Sequence, residues 1–380
     1  MRITGKWLDH PGTQALCHAL EDAGYLALFV GGCVRNALLG APVSDIDIAT
    51  DATPENVTNI AENAGFRVVP TGVAHGTLTI IAHHLPHEVT TFRKDIKTDG
   101  RHAIVAFSTL IEEDAARRDF TMNALYADRR GDVIDPLNGL PDLLARKVRF
   151  VGTAEDRIRE DHLRSLRFFR FHAHFGDPDG GLDPDALAAI SDNIAGLDTL
   201  SRERVGAEMR KLLSARDPAP SVAAMASAGV LGAVLAGANP QALAPLIHLE
   251  RDLPPRWQRR LAVLGGVNPS GALRLSRAET TDLGHIRHEI GSLRSPAALG
   301  NLYGAEVATD VLLSRAVVME RPLAAQWQSD VARGVAAVFP VSAADLMPGL
   351  QGPNLGMALA AIKSRWLQSD LALTRDQLLT

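Results

Sequence analysis

Two aspartates one residue apart, Asp45 and Asp47 in the run Ser44-Asp45-Ile46-Asp47-Ile48, are residues whose type and spacing carry chemistry. On a strand, side chains two apart point to the same face. The two carboxylates then project together while Ile46 and Ile48 face a core. A pair of this kind can hold two Mg²⁺ ions about 3.5–4 Å apart, the spacing of two-metal phosphoryl transfer. One ion would acidify an attacking hydroxyl and the other would stabilise a departing pyrophosphate. Alone, a D-x-D pattern is more often a solvated strand edge or a turn, so its neighbours must decide.

Upstream, Phe29-Val30-Gly31-Gly32-Cys33-Val34-Arg35 reads as a strand, a glycine pair and a helix start. Glycines let backbone N–H groups approach an anion, and the start of a helix favours negative charge. Arg35, in the first turn, is placed to donate to a triphosphate. Taken alone, the glycines fit a plain strand-to-helix turn. Glu88, in His87-Glu88-Val89-Thr90-Thr91-Phe92-Arg93, shares a strand face with Thr90 and is a candidate third acid. A lone Glu on such a face is usually just solvated. In Arg117-Arg118-Asp119-Phe120-Thr121-Met122-Asn123, adjacent arginines offer donors to phosphate, and Asp119 and Asn123 offer acceptors to ribose hydroxyls. Such a site would choose ribonucleotides over deoxyribonucleotides.

The last cluster is Arg159-Glu160-Asp161-His162-Leu163-Arg164-Ser165-Leu166-Arg167-Phe168-Phe169-Arg170. Read as one helix, it puts Asp161 and Arg164 on a shared face, continued by Arg167 and Arg170, with Leu163, Leu166 and Phe169 on a buried side. An i,i+3 ion pair explains Asp161 and Arg164 well. The pair also has a second use. A carboxylate only accepts hydrogen bonds and a guanidinium only donates them. Cytosine and adenine each present an amino donor beside a ring acceptor, which such an edge satisfies. Uracil and guanine present a carbonyl and a ring N–H instead and would leave buried groups unpaired. One Asp–Arg pair can therefore admit C and A and reject U and G.

The elements that must carry these residues follow from texture. Residues from about 25 to 135 alternate short β-branched runs with helical stretches, an α+β pattern. Strands are expected at Leu28–Val30, Asp45–Ala49, Phe66–Val69, Thr77–Ala82 and Glu88–Phe92, and helices at Val34–Leu39 and Ala52–Ala64, the latter with Pro54 in its first turn and Gly65 just past its end. From about residue 140 the strand signals vanish, and Ala, Leu and Arg dominate segments of helical length. Gly176–Leu182 reads as a turn-rich connector, and Ser201 as the cap of a helix running to Leu213. At 380 residues, about two to four domains are expected. Hydrophobic residues at 46% and charged residues at 22% describe a globular chain, not a disordered one. A net charge of −5 means that any nucleic-acid contact relies on local basic patches. Two cysteines, Cys17 and Cys33, exclude a disulfide framework and a cysteine-rich zinc site and suit a reducing cytoplasm. The amino terminus lacks the apolar stretch of a signal peptide. The uncharged run Ser221–Ala238 is too weakly apolar for a membrane span and reads as a packed helix and a turn.

In this order and spacing, GGCVRNALLG, SDIDIAT, HEVTTFR, RRDFTMNAL and EDHLRSLRFFR resemble the class II CCA-adding tRNA nucleotidyltransferases and the related bacterial poly(A) polymerases. The resemblance runs from about Leu28 to Phe175. It implies an α+β fold: an N-terminal nucleotidyltransferase palm of mixed β-sheet with helices over residues 1–138, then an all-helical neck (139–200), body (201–290) and tail (291–380). It implies that Asp45 and Asp47 bind Mg²⁺, that Glu88 is a further catalytic acid, and that Gly31, Gly32 and Arg35 hold the triphosphate. Arg118, Asp119 and Asn123 would surround ribose and phosphates. Asp161 and Arg164 would read the base, with Arg167 and Arg170 completing the nucleotide site. The implied activity is CCA addition to tRNA from CTP and ATP, with the tail gripping tRNA and no obligate protein partner evident. Partial CC- or A-adding enzymes, poly(A) polymerases, or an inactive RNA-binding relative are the alternatives. Pro70–Thr77 looks like the CCA-type sequence, and Thr98-Asp99-Gly100-Arg101-His102 resembles the loop that such enzymes use to switch from C to A. One departure stands out: Asn36 follows Arg35 where the family usually has Asp, which removes a charge and puts the positioning of Arg35 in question.

Overall fold

The computed structural model describes residues 1–99, 102–251, 253–347 and 349–380. It divides into two compact units, Met1–Ser201 with Ser227–Ala233, and Arg202–Ala226 with Val234–Thr380. Each is described by itself.

In the first unit, α1 (Pro11–Asp22) has proline in its first turn and is capped by the His10 ring, which accepts from Gly12 N at 3.1 Å. Strand β1 (Leu28–Val30) is wholly buried and runs through Gly31 into α2 (Gly32–Leu38). Next come β2 (Asp47–Thr50) and α3 (Pro54–Asn63), which starts where Thr53 Oγ1 accepts from Asn56 N and is followed by the positive-φ Gly65. Strands β3 (Arg67–Gly72), β4 (Thr77–Ala82) and β5 (Leu85–Thr91) form a meander, with a single 3₁₀ turn at Val73–His75. The β4–β5 hairpin turns through His83 and His84, both at positive φ, the backbone that a two-residue hairpin loop needs. A separate two-stranded ribbon, β6 (Arg93–Asp99) and β7 (His102–Phe107), precedes α4 (Ile111–Ala116). Short strands β8 (Tyr126–Ala127) and β9 (Val133–Ile134) follow, then α5 (Leu140–Leu144), α6 (Ala154–Glu160), α7 (Leu163–Phe175) and α8 (Pro184–Asp192).

The main sheet has the order β3-β4-β5-β2-β1-β8-β9. It is mixed: β2 and β5 run parallel, and the other pairs are antiparallel. A core of Leu28, Val30, Ala49, Phe92, Ala124 and Tyr126 lies against it. Beside that core, Phe120 packs its ring 5.0 Å from Phe150 and 4.9 Å from Phe171, and Phe150 stacks on Phe168 at 5.7 Å. These rings fasten α7 to the segment that carries the Arg-Arg-Asp motif, because large apolar surfaces gain most when buried together.

Among its described residues the second unit has helices and no strand of its own beyond the isolated bridge Ala238–Gly265. Its helices are α9 (Arg202–Leu213), α10 (Ala219–Ser227, whose last residue falls in the first unit), α12 (Leu243–Glu250), α13 (Trp257–Leu264), α14 (Pro269–Ala272), α15 (Arg277–Ile290), α16 (Pro296–Val318), α17 (Trp327–Ala336), α18 (Gly352–Gln368) and α19 (Arg375–Leu379), while α11 (Val230–Val234) belongs to the first unit except for Val234. Among the described residues no helix is long and apolar enough to cross a membrane; the uncharged run at 221–238 contributes to α10 and α11 instead. The unit buries charge in its interior. Glu250 accepts from Arg259 Nε at 2.8 Å and from Arg260 Nη2 at 2.6 Å, while Asp310 accepts from Arg256 Nε at 2.7 Å and from Arg259 Nη1 at 3.0 Å. Arg260 also donates to the carbonyls of Leu213 (2.6 Å) and Arg216 (3.1 Å), where α9 ends and orphan carbonyls need partners.

Of the differences from the expected elements, three bear on the site. Asp45 lies just before β2, because the strand starts at Asp47. The ribbon β6–β7 is an addition to the expected strands, since its charged stretch Arg93–Asp99 lacks alternating apolar residues. The single helix expected through Asp161 is two helices. Asp161 adopts an extended backbone (φ −152°, ψ 105°), and its Oδ1 accepts from Leu163 N at 3.1 Å. That side chain-to-backbone bond competes with helix continuation and starts α7 afresh.

Replacing Arg260 with Met would leave Glu250 with one fewer buried cation and the end of α9 unsatisfied. Breaking a buried pair from one side costs about 3–5 kcal/mol. Urea unfolding of Arg260→Met is therefore expected to show a loss of that size, whereas a loss below about 1 kcal/mol would show the network to be dispensable.

Candidate active site

The acids sit at the centre of the sheet. In the parallel pairing of β2 and β5, Asp47 lies opposite Glu88, and Glu88 N donates to Ile46 O at 2.9 Å. Asp45 is exposed at the mouth of β2, where Ser44 Oγ donates to its Oδ2 at 3.1 Å. The Asp47 carboxyl is pushed up to about 6 by burial, and the negative charges of Glu88 and Asp45 push the same way; Arg118 and Arg35 oppose them. Two acids and two cations predicted from separate motifs thus act on Asp47.

The cations are held over the glycine turn. Gly31 has φ 68°, which favours glycine, and a Cβ there would lie 3.3 Å from Arg118 Nη1 and 3.7 Å from Asn123 O. A Cβ on Gly32 would lie 3.9 Å from Arg35 Nη2. Arg118 is fixed in turn by α4: its Nη2 donates to Asp114 Oδ2 at 2.9 Å, and its Nε to Tyr126 Oη at 3.1 Å. Asp114 is 1% exposed and also accepts from Tyr126 Oη (2.7 Å) and, at Oδ1, from Arg117 Nε and Nη2 (2.9 and 2.7 Å). Burial raises its pKa, but the two guanidiniums and the phenol overcome that and hold it near 2.

A second chain of bonds runs from the glycine turn to α7. Arg35 Nη1 donates to Asn123 Oδ1 at 2.5 Å, and Asn123 Nδ2 donates to Asp119 Oδ1 at 2.9 Å. Asp119 Oδ2 accepts from Arg167 Nε at 2.8 Å and Nη2 at 2.5 Å. Asp119 is therefore held below the usual carboxylate range despite its burial. Arg170 stands beside this chain, its Cζ 4.5 Å from the centroid of Phe171. Arg164 donates to Glu160 Oε2 at 2.6 Å and to the carbonyls of Arg157 and Arg117, both at 3.1 Å. Its ion pair is with Glu160, not the i,i+3 pair with Asp161 that a single helix predicts, because the chain breaks at Asp161. Asn36 keeps Arg35 in place without a charge: its Oδ1 accepts from Arg35 Nε (3.2 Å) and Nη2 (2.9 Å), and its Nδ2 donates to Pro42 O (2.9 Å).

Residues 27–149 match the family model described as the poly A polymerase head domain, and residues 181–241 match one described as "Probable RNA and SrmB- binding site of polymerase A". The chain is similar to the human mitochondrial CCA tRNA nucleotidyltransferase 1, with 42% identity over 203 residues, 53% of this chain and 47% of that protein. It is likewise 42% identical over 219 residues to a CCA-adding enzyme of Lacticaseibacillus paracasei, covering 57% of this chain and 53% of that one. The chain thus spans about half the length of the curated relatives it matches. The crystal structure of a Bacillus stearothermophilus CCA-adding enzyme in complex with CTP matches 95% of this chain and 94% of its own, at 32% identity and a TM-score of 0.75. The chain belongs to the class II CCA-adding tRNA nucleotidyltransferase family.

Nucleotidyltransferases of this family use a divalent metal. The acids fit one. Asp47 already carries the repulsion of two neighbouring carboxylates, which a bound dication would relieve. Among the described residues no group of three or more His, Cys, Asp or Glu side chains makes a complete ligand set.

Sequence reasoning missed Asp114 and Tyr126, the groups that aim Arg118. A signal was present: Asp114 lies three and four residues before Arg117 and Arg118, the helical spacing of an ion pair. The specificity loop expected at Thr98–His102 includes Gly100 and Arg101, which lie outside the described residues.

Asp47 and Asp114 make opposite contributions to stability with pH. Asp47 is raised from 3.8 to about 6, so the folded protein binds the extra proton, and stability falls as pH rises through that window. Each tenfold change in proton affinity is worth about 1.4 kcal/mol, so Asp47→Asn is expected to raise the Tm of metal-free protein by several degrees above pH 6. The gain should shrink as pH falls toward 4. A Tm that is unchanged or lowered by the substitution at pH 8 would contradict the buried-acid geometry. Asp114 is depressed from 3.8, so its contribution is complete above about pH 4 and is lost as pH falls toward about 2. Asp114→Asn should therefore cost stability at neutral pH and progressively less in acid, as read by denaturant midpoints across that range.

Proposed function

We propose that this protein adds CCA to the 3′ end of tRNA, using CTP twice and ATP once and releasing pyrophosphate at each step. One observation carries the reading: a carboxylate face formed by Asp47 and Glu88, with Asp45 at its edge, lies in the field of two guanidiniums held over a glycine turn. Acid on one side and fixed cations on the other is the arrangement for moving a nucleotidyl group, because the acids hold the metal and the cations hold phosphate. The names of the relatives, and the CTP complex of the Bacillus stearothermophilus enzyme, support the choice of substrates.

Asp45 and Asp47 would hold Mg²⁺. Bound there, the ion supplies positive charge to the reacting phosphate and lowers the pKa of the RNA 3′ hydroxyl. Glu88 adds negative charge beside Asp47 and so favours a dication at this face. Arg35 and Arg118 bind the triphosphate above Gly31 and Gly32, and their buried anchors keep them aimed as it departs. Asp119 and Asn123 link Arg35 to Arg167 of α7, and would meet the ribose hydroxyls. Asp161 and Arg164 read the base. Arg164 is anchored by Glu160 and two carbonyls, which pre-orients its planar fork, and reading a base edge in this way rejects U and G through unpaired buried groups. Arg167 and Arg170 complete the nucleotide site. The helical residues 201–380, divided into body and tail at about residue 290, would hold the rest of the tRNA. Two buried, unpaired cysteines suit the reducing cytoplasm, where we place the protein.

The test uses purified protein, Mg²⁺ and tRNA transcripts ending before CCA, after C and after CC, each given CTP, ATP or both. Growth by C, C and A, stopping there, is the expected result. Stopping after CC, adding only the last A, or running into a long A-tract would keep the chemistry and change the product. No extension by folded protein would overturn the enzymatic reading in favour of RNA binding alone. Asp45→Ala and Asp47→Ala are each expected to abolish extension with the circular dichroism spectrum unchanged, and extension surviving both would remove them from the metal site.

A further inference from the structure

Arg35 is buried, at 8% exposed, yet among the described residues no carboxylate ion-pairs with it. Its hydrogen bonds go to two neutral side-chain amides, those of Asn36 and Asn123. Its face goes to aromatic carbon on α7. Arg35 Cζ lies 3.9 Å from the ring centroid of Phe175 and 5.2 Å from that of Phe171. The two rings contact each other at 5.5 Å, and Phe171 also faces Arg170 at 4.5 Å and Arg167 at 5.5 Å. Three cations thus share one aromatic pair. Burial and the charges of Arg170 and Arg167 draw Arg35 down to about 10, with Asp119 opposing.

The manner of holding matters for an anion. A carboxylate partner fixes a guanidinium but cancels its charge. An aromatic face attracts the cation through its quadrupole and leaves the net charge intact. With Asn36 supplying geometry and no charge, the ring joins the charge of Asp119 in offsetting burial of the cation. We propose that Phe175, backed by Phe171, is a positioning residue for nucleotide binding: its ring holds Arg35, charge uncancelled, at the glycine turn where a triphosphate docks. The proposal rests on the reading of Arg35 as a triphosphate donor given above.

Phe175 is half-buried near the end of α7, so Phe175→Leu keeps an apolar side chain there and removes only the π face. Phe175→Leu is expected to raise KM for CTP and for ATP by the same factor, about threefold to tenfold, with kcat little changed. Affinity for inorganic tripolyphosphate, measured by calorimetry, should fall by that factor as well, since this probe has no base or sugar. Phe175→Tyr keeps the ring face and should restore both quantities. A merely structural role would lower kcat and Tm in both variants and show no rescue by Tyr. Unchanged tripolyphosphate affinity in Phe175→Leu, unequal effects on the two nucleotides, or no rescue by Phe175→Tyr would each overturn the proposal. Should the wild-type protein bind tripolyphosphate but extend no RNA, the proposed activity falls while the calorimetric comparison still decides the role of Phe175. A wild-type protein that binds no tripolyphosphate would overturn the positioning role directly.

Discussion

Asp119 is the carboxylate on which the rest of the site depends. It is 8% exposed, and it accepts the two-pronged donation of Arg167 from α7 while turning its other oxygen to Asn123 and to Phe120 N. Asn123 then passes the constraint to Arg35 on α2. Four side chains from three segments are bound into one strip, and each link is charge-assisted or satisfies a buried amide. Remove the carboxylate and two arginines lose their reference together. The same segment carries Arg118, which reaches back to Asp114 and forward over Gly31. The short stretch between α4 and β8 is therefore a hub, held rigid by the aromatic packing of Phe120 beneath it.

Glycine at position 31 completes the arrangement from the opposite side. Its positive φ lets the chain leave β1 and enter α2 in one residue, and the missing Cβ leaves room for the Arg118 guanidinium. A carboxylate face, a bare backbone turn and a strip of fixed cations are three unlike surfaces brought together by the central strands. Preorganised charge of this kind costs the fold stability, as the raised pKa of Asp47 records.

Much of this was legible in the sequence, and the limits have physical causes. The first strand and the fourth fall at the residues that periodicity indicated, since both are short apolar or alternating runs bounded by turn residues. The helix at Pro54–Asn63 announced itself through Pro54 and Gly65, while its cap, Thr53, came only with the structure. The motif residues around the glycine turn and the Arg-Arg-Asp segment lie together in the fold. What sequence could not give was pairing. Nothing local says that Asp47 should lie opposite Glu88, or that Arg167 should choose Asp119, because both are long-range contacts decided by packing. The break at Asp161 was hidden for a different reason. Arg159 to Arg170 is helical by propensity throughout, and one side chain-to-backbone bond overrides that preference. The substitution of Asn36 for the customary Asp read as a loss, whereas its amide serves as the acceptor that the site needs.

The parallel pairing of β2 with β5 has a consequence for how the protein comes into being. Parallel neighbours cannot be joined by a tight turn, so α3, β3 and β4 must all intervene between Asp47 and Glu88. Closing that excursion costs chain entropy that only the finished meander repays. A nascent chain halted before β5 holds Asp45 and Asp47 without their neighbour, and one halted before α7 has Asp119 without Arg167. During synthesis the acidic face and its cationic counterpart are thus assembled in sequence, and the phosphate-holding strip closes only once α7 has emerged from the ribosome.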